Sequence, residues 1–259
     1  MCYNRMSEYI AQIGRGRAKQ DLERLFRMAR NGTRRGAPPR HSARFMVFAV
    51  LLRLRTALPL RLVARMLHMS HATLWRICNR GIRIMAEAFN MERSNSPQDE
   101  LIVDTTSVRI GTRGKEWYSG HRKRHVAKVQ MLCDARGVVR SVSEAYPGSR
   151  HDKTIWNGEF PNLPGCSRIL GDRAYAGAKG EGTLLFRPVK RNETAWKTDP
   201  DAAKEANQTL SRRRVRIEHV FAKLKTWRII HHYFPMKAAS FAATFKAIAL
   251  LNNISIRAK

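Results

Sequence analysis

The stretch LIVDTTSVRI (101–110) divides the chain into two textures. It is a short apolar run rich in β-branched residues, the pattern of a buried strand. A carboxylate, Asp104, sits in its middle, where it is costly unless hydrogen-bonded, paired or bound to a cation. Downstream, strands and helices alternate. HVAKVQMLCD (125–134), a turn at Ala135-Arg136-Gly137 and VVRSVSEAY (138–146) form a hairpin. PGSRHDKTIWNGEF (147–160) is a turn that becomes a short helix, CSRILGD (166–172) is a strand closed by Asp172, and LLFRPV (184–189) is a further strand. RNETAWKTDPDAAKEANQT (191–209) reads as a loop or partly helical excursion. KAASFAATFKAIALLNNISI (237–256) is an apolar helix that covers the sheet. This order predicts an α/β fold, a mixed sheet flanked by helices.

Between those last two segments lies SRRRVRIEHVFAKLKTWRII (211–230), with seven Lys/Arg and one acid, Glu218. Ile217, Val220, Phe221, Leu224 and Trp227 fall on one helical face. Arg214, Glu218 and Lys225 line a second stripe. Either this is a solvated basic helix with a Glu218–Arg214 contact, or Glu218 is held at the core's edge in a field that attracts a polyanion.

Upstream, NMERSNSPQDE (90–100) is a polar linker, and residues 41–90 are helical in pattern. Ser42 caps a helix carrying Phe45, Phe48, Val50, Leu51, Leu52 and Leu54. A short helix spans Pro59–Leu67. After a tight turn, Ser70 caps a third, His71–Phe89. Two helices joined by a three-residue turn read either as a helix-turn-helix or as part of a plain three-helix bundle with a basic face. The outer face of the third helix carries Arg76, Asn79, Arg80 and Arg83, types that bond base edges and phosphates. Residues 1–40, with one helix at Ala18–Ala29 and the linker GTRRGAPPR (32–40), form a basic arm. The predicted organisation is arm (1–40), helix-turn-helix domain (41–90), linker (91–100) and catalytic domain (101–259).

Net charge is +29 with 43% hydrophobic residues, a folded polycation rather than a disordered tail. The first 95 residues carry 19 Lys/Arg and 5 Asp/Glu, the remainder 30 and 15, so both parts are expected to touch a polyanion. Nucleic acid is the leading partner. There is no apolar run of membrane-spanning length and no secretory signal, which predicts a cytoplasmic, nucleoid-associated protein without membrane contact. Cys2, Cys78, Cys133 and Cys166 lack metal-ligand spacing and read as reduced thiols. A basic strip, His121, Lys123, Arg124 and Lys128, either tracks phosphate or is a charged hairpin face. Trp117, Tyr118, Trp156 and Trp196 are candidates for base stacking or for core packing.

Asp104 and Asp172 each have a plain explanation, a bond to Thr105 or Thr106 and an Asx-turn, respectively. Together with Glu218 they suggest three carboxylates converging from two strands and a helix. Such a set suits two Mg²⁺ or Mn²⁺ ions, which take oxygen ligands and activate phosphodiester chemistry. Asp152 is a spare carboxylate, although Ser149, His151 and Asp152 fit helix capping.

The segments IVDTT, YSGHRKRHVAKVQMLCD (118–134), PGSRHDKTI (147–155), LGDRAYAG (170–177), PVKR (188–191), RVRIEHVFAKLKTWRI (214–229) and LLNN follow one another in an order that resembles the DDE transposases of bacterial insertion sequences. The similar branch is that of the Harbinger-type nucleases, and the resemblance runs from about residue 41 to 254. It implies a ribonuclease-H-like core, with Asp104, Asp172 and Glu218 as the catalytic, metal-binding triad. It also implies that Arg214 and Lys225 contact DNA ends. Many relatives have Tyr where this chain has Ser211. The expected function is transposition. The helical domain binds terminal inverted repeats, and the core hydrolyses a phosphodiester and transfers the 3′-OH to target DNA, within a homodimer or larger synaptic complex. A catalytically inactive DNA-binding derivative and a nuclease of RNA–DNA hybrids are the competing expectations.

Overall fold

The computed structural model describes residues 17–31, 41–92, 100–112, 114–159, 166, 168–178 and 184–257. Most of the expected basic arm, the linker at 93–99 and Cys2 lie outside the described residues.

Four helices are described before the first strand: α1 (Arg17–Asn31), α2 (Ala43–Thr56), α3 (Leu60–Met66) and α4 (His71–Glu92). Their starts follow the capping chemistry. The Ser42 hydroxyl accepts from the Phe45 N–H, and that of Ser70 from the Thr73 N–H, both at 3.1 Å. Ala57 ends α2 in the left-handed conformation, its N–H bonded to the Arg53 carbonyl. Gly81 lets α4 approach α1 and α2 closely. A Cβ there meets Val50 Cγ2 at 2.3 Å and the Phe26 ring at 3.1 Å. Both neighbours are fully buried. Gly81→Ala is therefore expected to destabilise the fold by about 1–2 kcal/mol. Overpacking costs more than the ~1 kcal/mol that alanine gains in helix propensity. Thermal unfolding checks this, and an unchanged or raised midpoint overturns it.

Eight strands are described: β1 (Glu100–Ile110), β2 (Tyr118–Ser119), β3 (Arg124–Cys133), β4 (Val139–Val142), β5 (Tyr146–Pro147), β6 (Arg168–Leu170), β7 (Leu184–Phe186) and β8 (Tyr233–Phe234). β1 is the hub, antiparallel to β3 and parallel to β6 and β8. β3 in turn holds β2, β4 and β5. The expected second hairpin strand, 138–146, is broken into β4 and the start of β5. Ser143 between them uses its hydroxyl and its N–H on Gln130.

The remaining helices are α5 (Asp152–Glu159), α6 (Thr194–Thr198), α7 (Pro200–Leu224) and α8 (Phe241–Arg257). The segment 191–209, read as a loop or partial helix, is mostly ordered helix, and α7 starts eleven residues before 211. Asp199 caps it by accepting from Asp201 and Ala202 N–H, and Pro200 stands in the first turn. Its first half is mostly exposed, with Ala203 alone buried between Pro200 and Leu210, so periodicity there is weak. It also stops at Leu224 rather than running to Ile230. Lys225 is the C-cap, and Trp227 is buried beyond the helix.

One apolar cluster runs from Leu22 in α1 through β1 and β3 to Leu251 in α8. Arg55 on α2 donates to the carbonyl and hydroxyl of Thr226 at 3.2 and 3.1 Å and lies 5.4 Å over the Trp227 ring. Two Asn side chains of α8 hold the hairpin. Asn253 accepts from Val139 N–H and donates to its carbonyl, both at 2.8 Å, while Asn252 donates to the Gly137 carbonyl. Asn207 on α7 pairs with Val189 in the same two-bond way. No membrane-length apolar segment was expected, yet residues Ala238–Arg257 are long and apolar enough by composition to span one. That segment is 61% buried inside the protein, where α8 covers the sheet.

Candidate active site

The parallel register of β1 and β6 sets Ile102 beside Leu170. Asp104 and Asp172 each stand two residues further on, so the two carboxylates leave adjacent strands at the same level. Asp104 Oδ1 accepts from the Thr105 N–H at 2.7 Å, and Asp172 Oδ1 from the Ala174 N–H at 2.8 Å. Both local bonds anticipated from sequence are present. They do not isolate the groups. Burial pushes the Asp104 carboxyl up to about 6, the Thr105 bond and the Arg214 guanidinium oppose this, and the Asp172 and Asp152 charges add to it.

Arg214 lies 4.0 Å from Asp104. The contact expected along the helix, Arg214 with Glu218, is replaced by one across to β1. Glu218 is exposed, makes no ion pair among the described residues, and lines a cleft of about 890 Å³ with Thr105, Asp152, Lys128 and Lys225. Lys225 is held below its ordinary value first by burial and then by Arg122, with Asp104 opposing. Among the described residues no three His, Cys, Asp or Glu side chains form a group able to hold a metal ion. The Asp172 charge acts on Asp104, while Glu218 lines the cleft.

Asp152, the first residue of α5, has its carboxylate 2.8 Å from Lys128 Nζ, which also donates to the Arg150 carbonyl at 2.9 Å. Lys128 is thus engaged within the protein. Of the rest of the strip, His121 lines the cleft, and Lys123 and Arg124 are exposed outside its lining.

Sequence reasoning missed a buried pair beneath the carboxylates. Gln130, fully buried on β3, donates to the Tyr175 hydroxyl at 2.8 Å and to the Asp152 carbonyl at 3.2 Å. Burial, then Asp152 and Asp104, raise the Tyr175 phenol well above its ordinary value. The available signals were a lone glutamine in an apolar strand and a tyrosine three residues past Asp172. Trp156 packs edge-on against Tyr175 in the core, which removes it as a stacking platform. Trp117 and Trp196 are half-buried and Tyr118 is exposed. On α4, Arg76, Arg80 and Arg83 are exposed and Asn79 is half-buried. Cys78, Cys133 and Cys166 are buried.

The profile of the DDE superfamily endonucleases matches residues 103–253, more than half the chain, and takes in both strand carboxylates and α7. This chain belongs to that family. The chain is 28% identical, over 160 residues, to a Streptomyces albus G protein named as a transposase for insertion sequence element IS112; the match covers 61% of this chain and 57% of that protein. It is 22% identical over 167 residues to a Microchaete diplosiphon protein named as a transposase for element IS702, covering 63% and 60%. The match thus spans less than two thirds of either relative's length. No solved structure matches the chain.

Proposed function

We propose that this DDE endonuclease is a DNA transposase that cuts the ends of an insertion sequence and joins them to target DNA. The observation that carries the reading is that the β1–β6 register sets Asp104 and Asp172 at one level, next to a cleft lined by their neighbours Thr105 and Ala174 and by Glu218. The partly compensated charge of Asp104 suits a divalent cation, Mg²⁺ or Mn²⁺, since hard oxygen donors are what those ions take. Asp104 and Asp172 would hold it, with Glu218 completing the set. The ion supplies Lewis-acid polarisation of a phosphodiester and lowers the pKa of an attacking hydroxyl or water.

The chain's own residues supply the rest. Arg214 shields Asp104 and orients it, and Lys225 brings positive charge to the same cleft. Residues 41–90 act as a helix-turn-helix. α3, the turn at Leu67–Ser70 and α4 present Arg76, Arg80 and Arg83 outward to terminal inverted repeats, with Asn79 at the edge of that face. The sheet with α5, α7 and α8 is the ribonuclease-H-like unit. Two ends are brought together by two copies of the chain.

A plasmid carrying the element's inverted repeats tests this. With Mg²⁺ the full chain should nick at the repeat ends and release 3′-OH termini, and EDTA should stop cleavage without releasing the DNA. Binding without nicking would instead mark a DNA-binding derivative, and faster cutting of an RNA–DNA hybrid than of duplex would mark a ribonuclease.

A further inference from the structure

The hairpin turn between β2 and β3 carries a cation that the charge pattern did not single out. Arg122 lines the cleft, whereas its neighbours Lys123 and Arg124 do not. The turn is built to hold this presentation. Lys123 takes a left-handed backbone at φ 49°, its N–H bonds to the Gly120 carbonyl at 3.3 Å, and the Arg122 N–H reaches the buried Ser119 hydroxyl at 3.4 Å. Across the cleft, Lys225 is half-buried at the end of α7. The two cations act on one another. Neither makes an ion pair among the described residues, and the carboxylate that attracts Lys225, that of Asp104, already faces Arg214.

Two like charges held in one cleft without an ion pair of their own repel one another in the free protein, and a shared anion relieves them. We propose that Arg122 and Lys225 form a seat for one phosphate of a bound nucleic-acid strand, with Arg122 as a binding residue absent from the predicted set. The arginine fork engages two phosphate oxygens and the ammonium acts as a point charge. Arg150 lines the same cleft and adds positive field, while Lys128 is taken by Asp152. That the anion is a nucleic-acid phosphate rests on the nuclease reading; the anion seat itself does not.

The test uses the full chain as wild type, Arg122→Ala, Arg122→Lys and Arg136→Ala. Arg136 is an exposed cation on the β3–β4 turn, away from the cleft lining. Melting is followed in inorganic phosphate and in chloride at equal ionic strength, and binding of a random-sequence duplex across a salt series. Arg122→Ala should melt higher than wild type in chloride and gain less from phosphate. Its log–log salt slope should fall by about 1, the signature of one lost phosphate contact. Arg122→Lys should keep most of the slope, and Arg136→Ala should match wild type. Equal phosphate gain and equal slope in Arg122→Ala overturns the seat, as does an equal loss in Arg136→Ala, which would mean diffuse charge. None of these readouts needs cleavage, so a chain that binds phosphate here but never cuts DNA refutes the nuclease reading and leaves the seat intact.

Discussion

Asp104→Asn should lower strand cleavage by at least about 10³-fold, the scale on which removing one member of a concerted catalytic group acts. DNA binding should be unchanged. The substitution is isosteric, and the amide oxygen can still accept from Thr105 N–H, so the fold is kept. What disappears is the charge that a cation would use. Asp172→Asn and Glu218→Gln should behave alike. Full cleavage by any one of them removes that residue from the site. The same variant carries a stability signature with the opposite sign. In the folded chain Asp104 titrates near 6 against an ordinary 3.8, so the native state holds this proton more tightly than the unfolded state does. That stabilisation is complete below pH 3.8 and is lost as pH rises through 6. The difference amounts to at most about 3 kcal/mol. Metal-free wild type should therefore lose stability relative to Asp104→Asn between pH 4 and 7, and parallel melting curves for the two would refute it.

Asp134→Ala is expected to be the most destabilising carboxylate change, at about 3–5 kcal/mol, the cost of removing the buried partner of an ion pair with the half-buried Arg140. Asp134 is 3% exposed. It accepts from Arg136 N–H at 2.9 Å, Val138 N–H at 3.0 Å, and Arg140 Nη2 and Nε at 2.9 and 3.2 Å. Alanine leaves the two backbone donors and the Arg140 side chain without their partner. Asp134→Asn keeps an acceptor for the backbone donors and should fall between wild type and alanine. Denaturant unfolding measures both. A loss under ~1 kcal/mol for alanine would mean that the β3–β4 turn does not depend on this side chain. Cleavage by the folded fraction should be unaltered, unlike that of Asp104→Asn.

Asp134 and Asp172 also show how far the sequence could be read. Both close a strand, and periodicity treats them alike. One is consumed by a hairpin and the other lies level with Asp104, a difference set by strand pairing that no local pattern encodes. The helix starts at Ser42 and Ser70, the long strand β1 and the buried face of α7 were legible because capping and periodicity are local. The start of α7 was not, since a mostly exposed polar helix lacks an apolar stripe. Arg214 was legible as a functional cation but not as the partner of Asp104. Gln130 and Tyr175 were invisible because their meaning comes from 45 residues of separation closed by the sheet.

The double bond of Asn253 to Val139 has a further consequence. Val139 N–H and carbonyl point away from β3, along the free edge of β4, and one side-chain amide occupies both. An open edge is a template for pairing with another chain. The two residues are 114 positions apart. At synthesis rates of about 5–20 residues per second, the edge stays uncovered for roughly 6–23 s after it emerges from the ribosome. Pairing at this particular edge is thus a hazard of the nascent chain rather than of the folded one, and slower translation of 140–253 lengthens the exposure.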